Sequence, residues 1–230
     1  MPLDQQRYRA LVESAAVNFD FSRGTIQDLS PAGRAMSFVG APTWARVNGR
    51  PCLNQNAINQ GATSGVVGPV VDVTGSFSVE VLLQAGVETP VPSVNVPLYQ
   101  ATAGVGGFAF QLRTGAGWWT AYMDLFGLGG GVQRRLTMPV DSWPWDTKPR
   151  HGIIVSRNAT SDGLAWLNGI PRAVVVTLIG PLANIVNQTV LVGADRGMCI
   201  YSLVRAYPFA LTNEDAACLA EAAREMVGGF

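Results

Sequence analysis

Gly152-Ile153-Ile154-Val155-Ser156-Arg157 comes first, then Leu164-Ala165-Trp166-Leu167 closed by Asn168-Gly169. Thr189-Val190-Leu191-Val192-Gly193-Ala194 and Tyr201-Ser202-Leu203-Val204-Arg205-Ala206-Tyr207 follow. These segments are four to seven residues long, apolar and bounded by turn residues. That is the pattern of strands, since helices need longer runs at a period of 3.6. Trp143 precedes the run on a loop, and Ala210-Leu211-Thr212 leads out of it into a helix.

The same pattern extends upstream. From Ser76 to Gln84, Phe77, Val79, Val81 and Leu83 point one way while Ser78, Glu80 and Gln84 point the other. This predicts a half-buried antiparallel strand. Gly107 to Arg113 alternates in the same sense. Trp118 to Phe126 and Val132 to Met138 read as a hairpin joined by the Gly-rich turn Gly127 to Gly131. Asn48-Gly49 reads as a type I′ turn between Trp44-Ala45-Arg46-Val47 and Pro51-Cys52-Leu53, because both central positions of that turn need positive φ. The loop Ala85 to Pro97 carries Pro90, Pro92 and Pro97, which argues against a central strand. A helix is expected over 3–16, where Tyr8, Leu11, Val12 and Ala15 share one face. A second is expected over 212–227, opened by a capping box of Thr212 and Asp215 and striped by Ala216, Leu219, Ala223 and Met226. The domain organisation follows: a helical arm over 1–16, and a sandwich over 17–230 that includes the closing helix.

The order of these segments resembles the laminin-G-like, concanavalin-A-like lectin and glucanase superfamily. Its features W-x-H-V-x-V-T-R, L-Y-V-N-G, L-x-I-G and V-R-I-Y-x-R-A-L-S, then a closing helix, run in the order of Trp143 to Arg157, Leu164 to Gly169, Leu191 to Gly193 and Tyr201 to Thr212. Val17 to Phe21 with Asp28 to Gly33 is similar to the family's opening strand and turn. The resemblance implies an all-β, two-sheet antiparallel jelly-roll sandwich of concanavalin-A-like type with peripheral helices. It does not fix a function, because that fold serves many.

Composition narrows the classes. Sixteen basic and sixteen acidic residues give a net charge of zero, without the field of a nucleic-acid binder. Only 14% of residues are charged, which protects poorly against self-association. A homo-oligomer or multi-copy assembly is therefore expected. Cys52, Cys199 and Cys218 are an odd number and scattered, so they read as buried free thiols. No basic region followed by an apolar stretch opens the chain, so no secretory signal is read. No apolar run is long enough to span a bilayer.

Candidate chemistry is sparse. Jelly-roll glucanases place carboxylates on alternate positions of one strand, and no such trio is present. Glu80 and Asp124 read as solvated charges on outer strand faces. His151, the single histidine, reads as a strand-end residue bonding a neighbouring loop. No cofactor is expected. The resemblance suggests a structural calcium ion, but Asp20, Asp28, Asp162 and Asp195 lack the spacing of a loop motif, and no metal is assigned. The glycosylation patterns at Asn158 and Asn187 are read as chance.

The aromatics lead. Alternation gives Trp119, Ala121, Met123 and Leu125 to the core, and Trp118, Thr120, Tyr122 and Asp124 to the outer face. Trp143 and Trp145 lie on the loop Ser142 to Pro149. Trp118, Tyr122, Trp143 and Trp145 are thus the candidates for a ligand or partner. Their alternatives are a sugar stacked on the rings, a neighbouring subunit, or, for Trp143, a plug at the end of the sandwich. The function expected is that of a non-catalytic structural or interaction protein of a bacteriophage particle, such as a capsid decoration or tail-associated protein located in the virion. Its partners would be other virion proteins, or a cell-surface glycan. A lectin-like carbohydrate-binding module is the alternative, and a glycoside hydrolase is disfavoured.

Overall fold

The computed structural model describes residues 4–55, 60–85, 94–102, 105–114, 118–127, 131–139, 143–144, 148–157, 162–178, 180–185, 187–193 and 199–230. Of residues 85, 94, 95, 114, 118, 119, 143, 144 and 178 it describes the backbone alone. In chain order come α1 (Gln5–Ser14), β1 (Val17–Asp20), β2 (Met36–Val39), β3 (Thr43–Val47), β4 (Arg50–Gln55), β5 (Gly61–Val67), β6 (Phe77–Ala85), β7 (Val94–Thr102), β8 (Gly106–Thr114) and β9 (Trp118–Phe126). They are followed by β10 (Val132–Thr137), β11 (Trp143–Pro144), β12 (Pro149–Ser156), β13 (Gly163–Leu167), β14 (Ile170–Arg172), β15 (Val175–Leu178), β16 (Gln188–Val192), β17 (Cys199–Tyr207) and α2 (Asn213–Val227).

The strands form two antiparallel sheets, as the segment pattern predicts. The first runs β14-β13-β12-β6-β17-β4-β3, with β1 also on β17. The second runs β15-β10-β9-β8-β7-β16-β5-β2, with β11 also on β9. The chain crosses between sheets at both rims, from β2 to β3 and from β14 to β15. Asn48 and Asn168, each followed by Gly, adopt φ of 49° and 54°, the left-handed geometry that both two-residue hairpins require.

Between the sheets lies one core. Phe77, Val79, Val81 and Leu83 of β6 meet Phe108, Phe110 and Leu112 of β8 and Ala121, Met123 and Leu125 of β9. The expected core sides of these strands are correct. The half-buried reading of β6 is not, because Ser78, Glu80 and Leu82 on its other face are buried as well. The cause is the pair of helices. Leu11 of α1 and Ala15, which caps that helix, pack with Ala216 and Leu219 of α2 against Ile153, Val155, Trp166 and Tyr207. Ala223, Met226 and Val227 continue the layer over Val47, Leu82 and Leu203. The middle of the first sheet, around β12, β6 and β17, is therefore buried on both faces.

Both helix ends follow local rules. Thr212 accepts from the Asp215 N–H at 3.2 Å, and Asp215 accepts from the Thr212 N–H at 2.9 Å, which satisfies two end groups of α2. Asp4 caps α1 by accepting from the Arg7 N–H. Arg7 then ties α1 to α2, at 2.8 Å from Glu214 and 2.9 Å from Asp215.

Two loop expectations need correction. Pro97 lies inside β7, a strand flanked by β8 and β16. It is accommodated because the β7–β8 register shifts between Asn95 and Leu98, a bulge where the missing N–H breaks no ladder bond. Trp143 is a strand residue whose backbone pairs with Trp119 in β9. The rest of the Pro-rich loop, 86–93, lies outside the described residues. No helix among the described residues is long and apolar enough to cross a membrane.

Candidate functional site

The outer faces of the two sheets differ, and each carries a carboxylate that is 0% exposed. On the helix-covered face, Glu80 accepts from Tyr207 Oη at 2.6 Å and lies 3.4 Å from Arg205 Nη1. His151 Nε2 sits 2.9 Å from the same carboxylate. A carboxylate only accepts, so Nε2 carries the proton and Nδ1 is left without a partner among the described residues. Arg205 is completed by Asn18 Oδ1 at 2.9 Å and by the Tyr8 hydroxyl of α1 at 3.2 Å. Burial alone would raise the pKa of Glu80. The Arg205 charge and the His151 and Tyr207 hydrogen bonds outweigh it and hold the carboxyl below its usual range. Burial, followed by the Glu80 charge, pushes Tyr207 well above the usual phenol range. Neither Glu80 nor His151 has the role expected from the sequence. Glu80 is a buried ion-pair member, and His151 binds a carboxylate through its ring. Only the backbone of His151 bonds a loop, through Asn168. This cluster is sealed under the helices and offers nothing to a ligand.

The outer face of the second sheet carries no helix among the described residues. Tyr122 stands half-buried at its centre, opposite Gln111 in β8 and Thr137 in β10. The guanidinium groups of Arg113 and Arg135 lie over its ring, at 5.4 and 5.0 Å from the centroid. The ring is thus engaged within the protein and not free to stack on a sugar. Asp124 is not solvated either. Both its oxygens accept from Arg135, at 2.6 and 2.7 Å, in a bidentate pair. That hydrogen bonding raises the pKa of Arg135. Arg113 donates to Gln111 Oε1 at 3.1 Å and lies 3.9 Å from Asp124. Two guanidinium groups serve one carboxylate, so the described residues of this cluster carry a surplus positive charge.

Tyr122 is the sequence candidate whose side chain the structure places. For Trp118 and Trp143 the described backbone puts Trp118 opposite Pro144 and Trp143 opposite Trp119. Trp145 lies outside the described residues.

Among the described residues the calcium candidates do not converge. Asp20 caps a single turn and pairs with Arg23, Asp28 binds Arg34 at 2.6 Å, and Asp162 binds Arg157 at 2.8 Å. Asp195 and Asn158 lie outside the described residues. All three cysteines are buried, as expected.

Two features escaped the sequence reading. A groove of about 530 Å³ runs between α2 and the β13–β14 hairpin, lined in part by Arg7, Ile170, Cys218 and Arg224. Its arginines are already paired, Arg7 with Glu214 and Arg224 with Glu221. The second is an aromatic pair. Phe38 of β2 and Trp44 of β3 are 46% and 41% exposed and meet edge to face at 6.5 Å. A short β-branched and aromatic stretch looks like core in sequence. Here it falls on the rim of the sandwich, where the cover runs out.

No family model matches the chain, and no curated protein matches it in sequence. Solved structures do match in fold. A botulinum neurotoxin serotype D ligand-binding domain in complex with N-acetylneuraminic acid shares 12% identity at a TM-score of 0.71, over 94% of this chain and 52% of that one. A botulinum neurotoxin DC binding domain in complex with rat synaptotagmin II shares 12% at 0.68, over 93% and 52%. The binding domain of Paraclostridial Mosquitocidal Protein 1 shares 11% at 0.70, over 94% and 55%. The chain thus spans about half the length of each. At such identities the likeness establishes a shared β-sandwich fold.

Proposed function

We propose that this chain is a non-catalytic carbohydrate-binding module that takes its ligand on the outer face of the second sheet, around Tyr122. The observation that carries this reading is the contrast in cover. One sheet is closed by helices, while the other presents Arg113, Tyr122 and Arg135 over a fully buried Asp124. Arg113 Nη1 has no partner among the described residues and is available to a hydroxyl or an acidic group of a sugar. Tyr122 holds the two guanidinium groups in place, and Asp124 fixes Arg135. The fold likeness to domains named for binding, one of them in complex with a sugar, supports a binding module over the particle component expected from sequence. Among the described residues the charge arrangement gives hydrolysis no support. A glycosidase needs two carboxylates flanking a bond, whereas Asp124 is spent on Arg135 and Glu80 is sealed beneath the helices.

The test is a panel of neutral and acidic glycans, followed by calorimetry on the best binder with Arg113→Ala and Tyr122→Ala. Both variants are expected to lose binding while keeping the far-UV circular dichroism of the parent. Trp118→Ala, expected on the same face by alternation, should weaken it too. A panel with no binder, or binding that survives both Arg113→Ala and Tyr122→Ala, defeats the reading.

A further inference from the structure

The rim formed by β2 and β3 combines three features found together nowhere else among the described residues. First, it is a double edge. Among the described residues β3 pairs only with β4 and β2 only with β5, so there both strands present unpaired N–H and C=O groups on the same side of the sandwich. Such edges are templates for another strand. Second, Phe38 and Trp44, the exposed aromatic side chains among the described residues, meet across the gap between the two edges. Trp44 lies opposite the core residue Leu53 and Phe38 opposite the buried Ala62, so both turn toward the inner side of the sandwich. Third, the charge is one-sided. Residues 29–71 contain Arg34, Arg46 and Arg50 and no Asp or Glu. Arg34 is neutralised by Asp28. Exposed Arg46 donates only to the Gly49 carbonyl, and exposed Arg50 has no ion pair among the described residues.

We propose that this rim is a strand-addition site for an extended polypeptide carrying an apolar side chain and a carboxylate two residues apart. Alternate residues of a strand share a face, so Trp44 and Arg46 point to the same side of β3. A strand laid on the free edge of β3 sets its own alternate residues opposite them. An apolar side chain then covers the Phe38–Trp44 pair, and a carboxylate two positions along reaches Arg46. Backbone bonds supply affinity and the two side chains supply selectivity. The free backbone edge decides between classes of ligand. A sugar ring fits an aromatic pair, but it does not complete a ladder of peptide groups.

The probe is a blocked hexapeptide, Thr-Phe-Thr-Glu-Thr-Val, with a twin in which Lys replaces Glu, titrated to millimolar concentration into the isotope-labelled full chain. Amide shifts are expected in Met36–Val39 and Thr43–Val47, with the Lys twin about fivefold weaker, the effect of one exposed ion pair. Trp44→Ala should abolish the shifts, and Arg46→Glu should reverse the preference between the twins. Tyr122→Ala should change nothing, which separates this site from the proposed glycan face. Absence of shifts in these two strands overturns the proposal, as does equal binding of the twins or a preference that Arg46→Glu leaves unchanged. Shifts of the same residues by a glycan and not by the peptide also overturn it and make the rim a sugar site.

Discussion

Glu80 and Asp124 occupy equivalent positions. Each sits on the outer face of a β-strand in the middle of a sheet, and each is fully buried. Their cover differs. Glu80 lies under two helices, with partners that are themselves buried. Asp124 lies under the guanidinium groups of Arg113 and Arg135, which are 41% and 29% exposed. The first carboxylate belongs to the architecture, because its network reaches α1 through Arg205 and Tyr8. The second belongs to a surface that still meets solvent. A charge is made structural or available by what lies above the strand, not by its place on it.

Glu80→Ala should have the largest effect. It strands Arg205 in the interior, and a loss of about 3–5 kcal/mol is expected in urea unfolding. A loss as small as that of Asp124→Ala would show that the helices do not seal the cluster.

Acid comes next. Glu80 and Asp215 both have folded pKa values below their unfolded values of 4.5 and 3.8. For Asp215, burial works the other way, but hydrogen bonds from Thr212 and Arg7 outweigh it. The stability they supply is whole above those unfolded values and is lost as pH falls through the lower folded ones. Urea midpoints should therefore hold steady from neutral pH to about pH 5 and decline below it. The decline should be shallower in Glu80→Gln. An unchanged slope in that variant would remove Glu80 from the acid response.

Asp124→Ala is expected to cost about 1–2 kcal/mol, because its partners keep access to water and can be solvated once freed. It should also abolish any glycan binding, since Arg135 loses its anchor. Smallest is Thr212→Ala, which removes one side of the capping box of α2. About 1 kcal/mol is expected, read from the same unfolding curves.

Local features were legible in the sequence. Alternation in β6, β8 and β9 assigns the core side correctly, because strand period is a backbone property that needs no partner. The Asn-Gly turns and the Thr212–Asp215 cap were equally readable, since their donors and acceptors lie within a few residues. The strand order of the last third and the closing helix give the two-sheet sandwich.

The chain alone did not reveal the cover. Glu80 finds His151, Arg205 and Tyr207 at separations of 71, 125 and 127 residues, and no local pattern encodes such a meeting. Pro97 inside a strand depends on a bulge that exists only when β8 lies alongside. Phe38 and Trp44 are apolar by composition, and only the position of β2 and β3 at the rim makes them surface. Sequence determines which way a side chain points from its own backbone. Which of the two outward faces a pair of helices then buries is settled by long-range packing, and that choice separates the sealed Glu80 from the open ground around Tyr122.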